Sequence, residues 1–214
     1  MTQPDFLNYW NTLYSKDNFF GSGPTKLAKL AEEIMSKENV TRILEIGCGQ
    51  GRDAIHFSKL GYQVDAFDLS ENAITYINKT KNVLGYENLN VFVHDATTEL
   101  NFPKDYFDFV YSNLALQFFD LNSLSKIFSN ISNIIKKDSK FLLSTKKEGD
   151  KYYQTGKKIN DFAYENKGIT RFFYPIEILE KIFNENFNIM SIEQDSHKNL
   201  DSTVSVWWKI LLQK

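Results

Sequence analysis

Three glycines, Gly47, Gly49 and Gly51, stand at alternate positions in the run ILEIGCGQG, after a short apolar segment and before a stretch of helical character. Glycine at such a junction lets the chain turn tightly and leaves bare amides at a helix N-terminus, where a ligand can approach closely. Carboxylates accompany the turn. Glu45 lies within the run, Asp68 in VDAFDLS and Asp95 in VFVHDAT, with Asn113 further on in FDFVYSNLALQFF. An ionised carboxylate offers two acceptor oxygens, so Asp68 can hold both hydroxyls of a ribose. Taken singly, Asp68 and Asp95 read equally well as caps of the helices that follow them. Their common placement at strand ends favours a ligand site.

The spacing also bears on the kind of nucleoside. The dinucleotide fingerprint is G-x-G-x-x-G, with the third glycine closing helix against strand. Here that glycine comes one residue early, and Arg52 occupies the fingerprint position. A dinucleotide brings an anionic pyrophosphate, for which Glu45 is a poor neighbour. S-adenosylmethionine instead carries a cationic sulfonium and ammonium, which suit the acids, and a carboxylate that backbone amides or Arg52 can hold. A nicotinamide-dependent oxidoreductase stays open as the alternative, as does a binding module without turnover.

These residues need a scaffold that delivers them to one edge. Short apolar runs predict strands at Arg42–Ile46, Gln63–Phe67, Leu89–Val93, Phe107–Tyr111 and Lys140–Thr145, with helices near Arg52–Lys59, Glu71–Val83 and Leu121–Lys136 between them. The runs are continuous in Ile, Leu, Val and Phe rather than alternating, as expected of a parallel sheet covered on both faces. This order predicts an α/β, Rossmann-like doubly wound sheet, in which ligands sit beyond the carboxyl ends of the strands. After Thr145 a polar stretch, KKEGDKYYQTGKKIND, leads through Arg171 to a helix at about Pro175–Asn186. Strands follow at Phe187–Gln194 and Thr203–Leu212, paired as a hairpin across DSHKNLD. Period-two apolar residues in the last run, Val204 to Leu212, suit an edge or antiparallel strand. Upstream, Phe6, Tyr9 and Trp10 have helical spacing, and Gly21, Gly23 and Pro24 interrupt the chain before a helix running to about Glu38.

Composition sets the outer bounds. With 214 residues and 42% hydrophobic content, the chain can bury a core as one domain spanning 1–214, with residues 1–38 as an N-terminal helical extension and 39–214 as a cofactor-binding core. Twenty-five basic against 27 acidic residues, a net charge of -2, argue against nucleic acid as the main partner, although Lys146, Lys147, Lys151, Lys157 and Lys158 could form a local patch. The opening MTQPDFLNYW lacks a basic region followed by an apolar run, no apolar stretch reaches membrane-spanning length, and the lone Cys48 cannot form an intramolecular disulfide. A reduced cytoplasmic chain, monomeric or homodimeric and without membrane association, is the expectation. The 15% aromatic content agrees with codon usage in an AT-rich genome, but its clusters at 6–20, 106–119 and 172–174 predict an apolar cavity.

Taken in order, ILEIGCGQG, VDAFDLS, VFVHDAT and FDFVYSNLALQFF resemble the motif set of class I S-adenosylmethionine-dependent methyltransferases over roughly residues 40 to 146. WNTLYSKDNFFGSGP, GCGQGRDAIHFSKLGYQV and TRFFYPIEILEKIF are similar to the small-molecule branch that includes tellurite-resistance and thiopurine-type enzymes. The resemblance implies a seven-stranded, mainly parallel sheet whose C-terminal strand is antiparallel. It implies S-adenosyl-L-methionine as cofactor and S-adenosyl-L-homocysteine as product. It would place Glu45, Gly47 and Gly49 near the methionine moiety, Asp68 on the ribose, Leu69 beside the adenine, Asp95 with Ala96 at the adenine edge, and Ser112 to Leu114 along the cofactor, open toward a small-molecule substrate.

Transfer of an already activated methyl group is chiefly a matter of alignment, which can contribute about 7 to 11 kcal/mol. The sequence accordingly carries no conspicuous catalytic triad. SNLALQFF stands where amide- and base-directed enzymes of the family often have Asn-Pro-Pro-aromatic, and Gln117 stands where related small-molecule enzymes often have His. His94 reads as a polar strand end, His56 and His197 lack ligand-spaced partners, and no metal site is expected. Cys48 reads as a small filler of the turn. Arg171, beside Phe172 to Tyr174, suits an anionic substrate or the cofactor carboxylate. Trp10 and Tyr14 belong either to the apolar face of a packed helix or to a lid that shields the sulfonium from water.

Overall fold

Five runs rich in β-branched and aromatic residues assemble side by side, and the central ones are buried on both faces. In the computed structural model, which describes residues 3–16, 19–21 and 23–214, these are β1 (Arg42–Ile46), β2 (Gln63–Asp68), β3 (Leu89–Val93), β4 (Phe107–Asn113) and β5 (Ile135–Lys146). Met1, Thr2, Asp17, Asn18 and Ser22, part of the N-terminal segment expected over 1–38, lie outside the described residues. Two more strands, β9 (Asn188–Lys198) and β10 (Val204–Gln213), complete a seven-stranded sheet of order β3-β2-β1-β4-β5-β10-β9. β1 pairs in parallel with both β2 and β4, so the strand order reverses at β1. That reversal opens the crevice beyond the end of β1 where the glycine turn lies.

Helices α2 (Lys26–Met35), α3 (Arg52–Lys59) and α4 (Glu71–Leu84) cover one face, burying Ala31, Phe57 and Ile77 against Ile43, Ala66 and Tyr111. On the other face α5 (Leu121–Ile134) and α6 (Ile176–Phe183) bury Phe128, Ile131 and Phe183 against Leu44, Val110 and Phe141. Adjacent residues such as Ile43 and Leu44 thus serve opposite cores, which is why the strands carry no polar alternation. β10 is antiparallel to both β5 and β9, and β9 rather than β10 forms the sheet edge. None of the helices is long and apolar enough to cross a membrane among the described residues.

Most element ends shift by a few residues from expectation, and two departures are larger. The helix expected to run to Lys136 stops at Ile134, and β5 begins at Ile135 because that residue pairs with Phe107. The polar stretch before α6 holds a second, antiparallel sheet made of β6 (Lys157–Asn160), β7 (Ala163–Asn166) and β8 (Ile169–Phe172). β7 and β8 are joined through Lys167 and Gly168, both at positive φ (53° and 77°), the backbone signature of a tight two-residue hairpin.

Asp108 ties the entry of β1 to its neighbours, accepting from the amides of Thr41 and Arg42 at 2.8 Å and from the Thr41 hydroxyl and Lys136 ammonium. Burial alone would push its carboxyl up, but Lys136, the Thr41 hydroxyl and the two amides outweigh it and hold the group at about 2. The stabilisation is therefore present above the ordinary carboxylate value and is lost as pH falls toward 2. Asp108→Asn is expected to lower the melting temperature at pH 7 and to leave it unchanged near pH 2, measured by thermal unfolding at both.

Candidate functional site

The turn after β1 is locked by its own amides. Gly47 and Cys48 donate to the Phe67 carbonyl at 2.9 and 3.0 Å, and Gly49 donates to Asp68 Oδ2 at 2.9 Å. The first two bonds stitch the turn to the end of β2, and the third aims a carboxylate at it. Gly47 sits at φ 70°, and a Cβ there would lie 2.3 Å from the Ala115 side chain. Gly49, at φ 52°, faces the Tyr14 hydroxyl, which would be 2.8 Å from an added Cβ. The glycines therefore permit two close approaches, one from the end of β4 and one from the N-terminal helix. Gly51 occupies the N-cap of α3.

Around this turn lies a cleft of about 1230 Å³. Its lining brings together Trp10, Tyr14, Glu45, Gly47, Cys48, Gly49, Arg52, Asp68, Leu69, Asp95, Ala96, Asn113, Leu114, Gln117 and Arg171, leaving out of the expected residues Gly51 and Ser112, the latter fully buried with its hydroxyl donating to the Ile46 carbonyl. Asp68 accepts one amide on each oxygen, from Gly49 and from Ser70, both at 2.9 Å. Each oxygen keeps a lone pair for a further donor. Helix α4 is capped by Ser70 rather than by Asp68, so the capping reading of Asp68 does not exhaust it. Asp95 accepts from the amide and hydroxyl of Thr97. Asn113 Oδ1 accepts from Ser144, and Leu114 is held at φ 53° with its amide donating to Ser144. A left-handed leucine is a strained residue, about 1–3 kcal/mol above its relaxed backbone, and such strain concentrates where a ligand is gripped.

Glu45 is the electrostatic centre. It is 3% exposed, and its Oε2 has no hydrogen-bond partner among the described residues. Burial, then the charges of Asp53 and Asp68, push its carboxyl well above the usual range. Burial likewise raises Asp68, against the opposing pull of the Ser70 and Gly49 amides. Three acids converge with no basic partner on Glu45, an arrangement that a bound cation would relieve.

Some side chains do work that their sequence context did not reveal. Arg52 donates to the carbonyls of Gly23 at 2.7 Å and Phe20 at 2.8 Å, fixing the segment that follows the N-terminal helix. Asp53, 2% exposed, accepts from the Thr25 amide and hydroxyl and from the Tyr111 hydroxyl at 2.7 to 2.8 Å, anchoring the start of α2 to α3 and β4. No motif marks it, and its only signal is that an acid stands in the first turn of a helix. Helix α1 (Gln3–Leu13) lies over the cleft: Trp10 stacks on Tyr14 at 5.5 Å and meets Phe118 edge-on at 5.3 Å, while Asn11 accepts from Ser70 at 2.6 Å. Packing and cover are thus the same contacts, and the two readings of the aromatic segment coincide in this conformation.

Residues 43–138 match a protein family described as "Methyltransferase domain". The probable S-adenosyl-L-methionine-dependent methyltransferase TehB of Haemophilus influenzae is 34% identical over 92 residues, a match covering 42% of this chain and 30% of that protein. Malonyl-[acyl-carrier protein] O-methyltransferase 2 of Ilyobacter polytropus is 27% identical over 176 residues, 79% of this chain and 63% of its own length. The chain thus spans less than two thirds of either relative. Among solved structures, 1,6-didemethyltoxoflavin-N1-methyltransferase of Burkholderia thailandensis, with bound S-adenosylhomocysteine, superposes with a TM-score of 0.74 at 16% identity, covering 99% of this chain and 88% of that one. At that identity the likeness is one of fold.

Proposed function

We propose that the chain is a class I, S-adenosylmethionine-dependent methyltransferase, a reading supported by the match of residues 43–138 to a methyltransferase domain, and that it transfers methyl from S-adenosyl-L-methionine to a small-molecule nucleophile by in-line displacement. The observation that carries the reading is Glu45, a buried carboxylate with an unsatisfied oxygen beside the glycine turn and near Asp53 and Asp68. A ligand with an ammonium and a sulfonium supplies the missing positive charge, whereas a pyrophosphate would add to the repulsion. When bound, the cofactor supplies a methyl group already activated by the positive sulfur.

The residues present fit that group. Asp68 would hold the ribose through the free lone pairs of its two oxygens, and Leu69 and Ala96 would flank the adenine, with Asp95 at its edge. The amides of the turn and the strained Leu114 would line the methionine part. The protein's contribution is then to bind, orient and exclude water. Trp10, Tyr14 and Phe118 form an aromatic cover over the cleft, consistent with shielding a reactive centre. The size of the cleft, about 1230 Å³, supports a cofactor together with a small second molecule rather than a polymer.

Asp68→Ala is expected to weaken S-adenosylhomocysteine binding by about 1–3 kcal/mol, five- to 150-fold, through lost charged hydrogen bonds. Calorimetry on a variant shown to fold checks it, and an unchanged dissociation constant would remove Asp68 from the site. Turnover is tested by incubating the chain with S-adenosylmethionine and a panel of thiols, amines, phenols and metalloid oxyanions. Formation of S-adenosylhomocysteine together with a product heavier by one methylene supports the reading, and its absence across the panel counts against it.

A further inference from the structure

Part of the cleft wall is basic. Lys146, Lys151 and Arg171 all line it. Lys146 is paired with Asp150, whose carboxylate also accepts from the amides of Tyr152 and Val206 at 3.0 and 2.9 Å. Three donors, one of them cationic, thus converge on Asp150. Arg171 is 8% exposed, and among the described residues it pairs with no carboxylate. Among the described residues the one hydrogen bond of its guanidinium, to the Ile169 carbonyl, is 3.5 Å long, at the limit for such a bond. The guanidinium lies instead between two aromatic rings, 4.2 Å from the centre of Tyr152 and 5.7 Å from that of Phe118. Aromatic faces ease the burial of a cation but leave its edge donors unused.

Next to Phe118, Gln117 is 5% exposed and keeps an Oε1 with no partner among the described residues. An unneutralised guanidinium and an unsatisfied amide oxygen thus line the same cavity. Both are costly to bury alone. Successive contacts of 5.5, 5.3 and 5.7 Å link Tyr14, Trp10, Phe118 and the Arg171 guanidinium.

We propose that this part of the cleft binds a small organic anion, with a carboxylate or similar oxyanion against Arg171, an apolar or aromatic body along Phe118 and Tyr152, and a hydroxyl or amine hydrogen donated to Gln117 Oε1. A planar guanidinium matches a two-oxygen anion in a way that a lysine cannot. The proposal rests on the methyl-transfer reading in naming this anion as the class of substrate, but the binding site itself stands or falls separately.

The test titrates the full chain, by intrinsic fluorescence, with 4-hydroxybenzoate and with its neutral analogue 4-hydroxybenzamide, and measures S-adenosylhomocysteine affinity in parallel. The acid is expected to bind about ten-fold or more tightly than the amide. Arg171→Gln should abolish that preference while changing S-adenosylhomocysteine affinity less than about two-fold, and Arg171→Lys should keep part of it. If Arg171→Gln does not fold, Arg171→Lys carries the test through a preference reduced by about three-fold or more. Equal binding of acid and amide, no binding of either at millimolar concentration, or an undiminished preference in the variant that folds would each overturn the proposal. So would a large loss of S-adenosylhomocysteine affinity in Arg171→Gln, which would put the guanidinium on the cofactor. A wild-type chain that prefers the acid but ignores S-adenosylhomocysteine would refute the methyl-transfer reading and leave the anion site standing.

Discussion

Glu45→Gln is expected to move two properties in opposite directions: the ligand-free protein becomes more stable above neutral pH, and its affinity for S-adenosylmethionine falls. The sign follows from the raised carboxyl. In the unfolded chain Glu45 ionises at its ordinary value, whereas in the fold burial and the charges of Asp53 and Asp68 keep the proton on to a much higher pH. Stability associated with Glu45 is thus full below the ordinary value and is lost as pH rises through the raised one. Glutamine has no proton to lose, so thermal unfolding of the variant from pH 5 to 9 should show a flatter profile, with about 1–3 kcal/mol regained at the alkaline end, the cost of leaving such a group unpaired. The lost interaction with a cationic ligand should weaken binding by about 10- to 100-fold. A bound cation would draw the Glu45 carboxyl back down, so binding to the wild type should also release protons over the pH range between the raised and the lowered values. Calorimetry in buffers of different ionisation enthalpy would report that release, and the variant should lack it. A variant with unaltered affinity and an unaltered pH profile would deny Glu45 this role.

The second large effect belongs to Gly47. An alanine there must tolerate φ 70° and place its Cβ 2.3 Å from the Ala115 side chain. The backbone conformation costs about 1–2 kcal/mol and the overlap about 1–3 more, so Gly47→Ala should lose about 2–5 kcal/mol of stability. The overlap is relieved by a second change. Gly47→Ala with Ala115→Gly should recover the steric part and keep only the backbone part, giving a coupling of about 1–3 kcal/mol between two residues 68 positions apart in sequence. Chemical denaturation of the four proteins measures it. Simple additivity would show that the turn and the end of β4 are not in contact.

Much of this site is legible in the sequence because it is local. The glycine turn, the acids at the ends of β1, β2 and β3, and the continuous apolar strands are each written within a few residues, and the order of elements specifies where the crevice opens. What depends on distant contacts is not written that way. Nothing in ILEIGCGQG says that Tyr14, 35 residues upstream of Gly49, will press against it, or that Arg52 will hold Phe20 and Gly23. The second sheet escaped detection because β6, Lys157–Asn160, is exposed throughout and lacks an apolar alternation. A signal did exist in Asn166-Lys167-Gly168, where a glycine preceded by a residue able to adopt positive φ closes a tight hairpin. That hairpin delivers Arg171, which the sequence marked by its aromatic neighbours but whose lack of a carboxylate partner among the described residues only the fold reveals.

The central claim is that the acids around the glycine turn hold a cationic adenosyl ligand. Isothermal titration of the wild-type chain with S-adenosylmethionine, S-adenosylhomocysteine, NAD and NADP tests it in one series. The account predicts saturable binding of the two adenosyl ligands and none of the nicotinamide dinucleotides. Binding of NAD or NADP with no response to either adenosyl ligand would contradict it.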